Sequence, residues 1–129
     1  MREPPWKSLV RELGDSGFSS PYLDRLRRRV DPAQAQQQLE TEIVGEIAAA
    51  LGRAGEKVDY ALLRLEVASR EIEEASTPRD RRKQIADFNR LRDEALAARL
   101  ELRIHREAIG IRRNHLLDAT YPIPPRRRA

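Results

Sequence analysis

Between residues 51 and 75 the apolar positions recur in steps of three and four: Leu51, Ala54, Val58, Ala61, Leu65, Ala68, Ile72 and Ala75. A seven-residue repeat with apolar residues at two of its positions is a coiled-coil seam. A large residue alternates with an alanine here, and small residues at alternate layers let a partner backbone come close. The series extends back through Ile47 and Val44, with Glu40 in the next slot. A second series keeps the same step: Phe88, Leu91, Ala95, Ala98, Leu102, His105, Ile109, Arg112 and Leu116.

Helix-start signals divide the chain. Pro4 and Pro5 open a short helix over residues 4–13, whose stripe is Trp6, Leu9, Val10 and Leu13, with Gly14 and Gly17 at its end. A free helix of that length is marginal in water, so its stripe is expected to dock on the body of the protein, with another protein's groove as the alternative. Ser20-Pro21 opens a second short helix with Tyr22, Leu23, Leu26 and Val30 on its apolar side. Asp31-Pro32, with Gln34 at the capping-box position, opens a third helix that meets no further proline before Pro78. Thr77-Pro78-Arg79-Asp80 repeats the design and starts the last helix, which Ala119-Thr120-Tyr121-Pro122 stops.

These signals predict an all-α fold: a long antiparallel two-helix coiled-coil hairpin with an alanine-rich seam, helices over about 32–76 and 78–118, and a turn at 76–78. Two short helices within residues 1–30 precede it, and an extended tail over 119–129 follows. Folding at the turn pairs positions whose numbers add to about 156, so that Ala68 faces Phe88, Leu65 faces Leu91, Ala54 faces Leu102 and Ile47 faces Ile109. Gly45, Gly52 and Gly55 each weaken the long helix by about 1 kcal/mol relative to alanine. The heptad keeps its phase through them, so they are expected to mark, with Ala48, Ala49 and Ala50, a face on which another helix lies close.

The hairpin has more apolar surface than one seam uses. Ile85, Leu96, Leu100, Ile104, Ile111 and Leu117 form a flank on the last helix, and Ile43, Leu62, Leu63 and Val67 lie outside the seam on the first. The N-terminal helices can cover part of this surplus. A second copy closing a four-helix bundle is the simplest cover for the rest. Trp6, Leu9, Leu13, Leu96, Leu100, Ile104 and Ile111 are therefore the candidate partner-binding residues.

Charge sharpens the hairpin. The net +4 divides into about +3 over residues 1–30, −6 over 31–76 and +7 over 77–129. An acidic helix followed by a basic one favours mutual attraction before a nucleic-acid partner. Of the 25 basic residues, 22 are arginine, which suits forked bonding to carboxylates. Arg25, Arg27, Arg28 and Arg29, together with Arg126, Arg127 and Arg128, are the candidates for phosphate contact. The plainer expectation is that the first four meet acids of the next helix or end their own helix in solvent. The tail, Tyr121-Pro122-Ile123-Pro124-Pro125-Arg126-Arg127-Arg128-Ala129, is expected to be polyproline-like and solvated; Pro122, Pro125 and Arg127 also fit a short proline-x-x-proline-x-arginine pattern.

Candidate chemistry is sparse. The chain has no cysteine, which excludes disulfides and zinc–thiolate sites and favours a reducing compartment. His105 and His115, ten positions apart on one predicted helix, would lie about 80° apart around it and about 15 Å along it, too far to share a metal. Glu101 precedes His105 by four positions rather than the three of a di-iron motif. Gly52-Arg53-Ala54-Gly55 follows no strand and matches no nucleotide fingerprint. No apolar run approaches a membrane span, and the N-terminus carries no signal-like stretch. The expectation is a cytoplasmic, non-enzymatic helical adaptor or assembly protein without cofactor, metal or membrane partner. It would act through self-association or a dedicated protein partner; the alternative is a basic nucleic-acid-binding or ribosome-associated protein.

Overall fold

The computed structural model describes residues 3–29 and 42–128. Expectations for Asp31-Pro32, Gln34 and Glu40, and for the side chains of Ile43 and Val44, fall outside that description. Among the described residues every regular element is helical: α1 Pro5–Asp15, α2 Pro21–Arg28, α3 Glu42–Glu74, α4 Pro78–Ala108 and α5 His115–Thr120. The two long helices α3 and α4 form the antiparallel hairpin. Thr77 caps α4 by accepting the Asp80 N–H at 3.0 Å, with Pro78 in the first turn. The seam is buried from Ala54 to Ile72 on α3 and from Ile85 to Leu102 on α4. Ile85, expected on the flank, is thus a core residue, as is Leu117. Cross-arm ion pairs Lys57–Glu101 (2.8 Å) and Arg64–Glu94 (3.2 Å) join positions whose numbers add to 158, two off the predicted sum.

Toward the end away from the turn the seam opens. Ile47, Ile109 and Leu116, predicted as seam layers, are exposed. The cause is a stop that the periodicity concealed. α4 ends at Ala108 rather than near 118, because Gly110 takes φ +93. The Ile111 N–H bonds the Arg106 carbonyl at 2.9 Å and the Gly110 N–H bonds that of Glu107 at 3.0 Å. This is the paired closure of a Schellman motif, which wants glycine at the left-handed position. Beyond it the chain turns into α5, so Arg112 and Leu116 never extend the seam.

Helix α1 closes the same way. Gly17 (φ +76) follows it, and the Phe18 N–H bonds the Leu13 carbonyl at 3.0 Å. Eleven residues cannot hold a helix alone in water; burial of Trp6, Val10 and Leu13 holds this one. They join Leu23 and Leu26 of α2 around Leu63 of α3, a second core beside the seam. The α1 stripe is therefore docked within the chain. Of the predicted surplus, Leu63 is covered in this way, whereas Leu62 is buried in the main core.

Candidate functional site

Helix α2 is short, polar over most of its surface and held at both ends. At its start Ser20 accepts the N–H groups of Tyr22 and Leu23 and donates its hydroxyl to the Glu66 carboxylate on α3. Helical spacing then places Tyr22, Arg25 and Arg29 on one side, toward Asp59 of α3. Asp59 is fully buried. Arg25 Nε donates to Asp59 Oδ1 at 2.8 Å, and Arg29 approaches Oδ2 at 3.9 Å. The Arg25 guanidinium also lies between two aromatic rings, 5.2 Å from the Tyr22 centroid and 5.1 Å from that of Tyr121. One buried carboxylate therefore ties together α2, α3 and the segment after α5.

The electrostatics of this hub are tense. Burial pushes the Asp59 carboxyl above the ordinary carboxylate range, against the pull of Arg25 and then Arg29. Burial likewise raises the Tyr22 and Tyr121 hydroxyls, and raises Glu66 against its bond from Ser20. Arg25 Nη2, Arg29 Nε and Asp59 Oδ2 are buried without a protein partner. Gly55 makes room for this arrangement: a Cβ there would stand 3.2 Å from Arg29 Nη2. Among the described residues, the glycine face of α3 receives the Arg29 side chain, at Gly52 and Gly55. A recess beside it is floored by Gly45, Ala48, Ala49 and Gly52 and rimmed by Arg29, Arg53 and Glu56.

The tail departs most from expectation. Residues 121–128 lie extended along the hairpin instead of in solvent, held by side chains of α3 and α4. Arg99 donates to the Tyr121 carbonyl at 3.0 Å and Arg92 to that of Pro124 at 3.1 Å. The Asn89 amide donates to the Arg127 carbonyl at 2.9 Å and accepts its N–H at 2.8 Å. Arg126 pairs with Asp93 at 2.7 Å, and Arg127 with Glu73 at 3.3 Å, above the Phe88 ring. Tyr121 and Ile123 pack on the main core.

The predicted site residues are accordingly divided. Trp6 and Leu13 are buried within the fold and Leu9 packs against them. Leu96 and Ile111 are half-buried, and Leu100 and Ile104 are each 57% exposed. Arg25 and Arg29 bind Asp59, and Arg126 and Arg127 bind Asp93 and Glu73, whereas Arg27, Arg28 and Arg128 are exposed. His105 ends up on α4 and His115 on α5, not on one helix. No group of three or more metal-ligating side chains occurs among the described residues. Asp59, Glu66, Asn89 and Asp93 were not singled out by sequence. For the first two a faint signal exists: acids seven residues apart, straddling apolar Leu63, mark the α2-facing side of α3. No family model, curated protein or solved structure matches the chain.

Proposed function

We propose that the chain is a non-enzymatic helical assembly protein that acts by protein–protein association, pairing with a second copy of itself through the outer face of α4. The observation that carries this reading is the exposure of Leu100 and Ile104, one turn apart and each 57% exposed. At 100° per residue both point away from the seam residues Leu91, Ala98 and Leu102. Ile47, Ile109 and Leu116 are further exposed large apolar residues at the same end of the hairpin. Single exposed leucines are ordinary; a ridge of large apolar residues at one end marks an interaction surface.

The ridge is self-complementary. Laying α4 antiparallel on its copy brings Leu100 of each chain onto Ile104 of the other and Leu96 onto Ala108, large against small. That is the same logic that closes the internal seam, and an isologous contact needs such a patch. Light scattering tests it. The full chain is expected at twice its 14.9 kDa mass, and L100E/I104E at the single-chain mass with unchanged helical circular dichroism. A wild-type chain that stays at 14.9 kDa at high micromolar concentration overturns self-association.

A further inference from the structure

The tail is gripped with a period of three. The carbonyls of Tyr121, Pro124 and Arg127 are the ones captured, by Arg99, Arg92 and Asn89. These three residues are half-buried, while Pro122, Pro125 and Arg128, each next in the chain, are exposed. Three residues per turn is the period of polyproline II, whose rise of about 3.1 Å makes the stretch from 121 to 127 about 19 Å long. The ten steps along α4 from Asn89 to Arg99 rise about 15 Å, and the arginine side chains bridge the remainder. The cradle thus reads an extended backbone through its carbonyls. Side-chain selectivity is concentrated at two arginines: Arg126 on Asp93, and Arg127 on Glu73, Ser69 (3.4 Å) and the Phe88 ring.

We propose that this cradle is a binding groove for an extended, proline-rich peptide ending in adjacent arginines, and that the tail of a second copy can replace the chain's own. The tail belongs to no helix or sheet, and beyond the Tyr121 N–H, which bonds the Leu117 carbonyl, its polar contacts are made by groove side chains. Such a segment can leave without breaking a secondary structure, and any chain of the same sequence brings an equal ligand. Exchange needs no contact at the open end of the hairpin. Within one chain the tail competes at an effective concentration of millimolar order, so the groove is masked in the isolated molecule.

The probe is a fluorescein-labelled synthetic peptide of residues 119–129, followed by anisotropy against the full chain. Wild-type chain is expected to bind it weakly. R126E/R127E, which loosens the resident tail and leaves the groove intact, is expected to bind it at least ten-fold more tightly. Arg127→Ala should move binding in the same direction with less change of charge. Adding Asn89→Ala to the R126E/R127E chain removes both backbone bonds and should cost at least ten-fold. A folded R126E/R127E chain that binds no better than wild type would show a fixed structural strap and overturn the proposal. So would binding that ignores Asn89→Ala, or that a scrambled peptide of equal charge reproduces.

Discussion

Asp59 shows how much one residue can organise. Its carboxylate is fully buried against two guanidiniums whose side chains are 27% and 23% exposed, and breaking such an arrangement leaves a buried charge uncompensated. Asp59→Ala is expected to destabilise the protein by about 3 kcal/mol in urea unfolding. Asp59→Asn, which still offers Arg25 an acceptor, should lose less. A loss of only ~0.5 kcal/mol for the alanine variant would class the hub with surface ion pairs. The ten acids between residues 31 and 76 carry equivalent side chains in the sequence. Only the docking of α2 buries Asp59 and gives it Arg25 and Arg29, so its role could not be read beforehand. The arginine run was readable to the extent that acids of the following helix were the expected partners of some of its members.

At the scale of elements, the hairpin was legible because two independent signals agreed. The caps at Thr77 and Pro78 and the three-and-four step each imply a helix reversing near residue 76, and the cross-arm ion pairs fall two positions from the predicted register. The buried alanines Ala54, Ala61 and Ala68 keep the arms close. Ala68, 3% exposed, is packed within the seam core. Ala68→Leu is expected to cost about 1–3 kcal/mol, the range for overpacking a filled core, with a thermal melt as the check; an unchanged melting temperature would place Ala68 in a slack region of the seam. The end of α4 was misread for a definite reason. Ile109, Arg112 and Leu116 kept the heptad, yet Gly110 offered a left-handed closure, and the backbone took it. Periodicity reports which face is apolar; it does not report where the hydrogen-bond ladder stops.

For the whole molecule, the tail straps the two arms between Arg99 and Glu73, and the Arg126–Asp93 ion pair is one of its holds. Arg126 holds the Asp93 carboxyl below the ordinary range, through its hydrogen bond first and its charge as well. A folded value lowered in this way gives stability that is present above the unfolded value of about 3.9 and is lost as pH falls through the lowered one. Acidification is therefore expected to loosen the hold on Arg126 as pH falls below that unfolded value, while circular dichroism shows the hairpin still helical. The NMR signals of the Asn89 side-chain amide report this directly, since both its oxygen and its nitrogen bond Arg127. An Asp93→Asn chain should lose that transition; the same midpoint in both chains would exclude Asp93 as that hold. No helix among the described residues is long and apolar enough to cross a membrane.

By itself the sequence determined what local chemistry can determine: that the two arms are helical, where three of the helices start, which face of each is apolar, and that the two long ones run antiparallel. Caps, prolines and heptads act over a few residues, so their information lies on the surface of the text. The tertiary structure decided what depends on long-range meeting. It docked Trp6 and Leu13 inside the chain, gave Asp59 its two arginines, laid residues 121–128 along α4 and left Leu100 and Ile104 outside. Burial is a property of what arrives from elsewhere. The same leucine is core or surface according to whether another element covers it, and no spacing along α4 records whether one does.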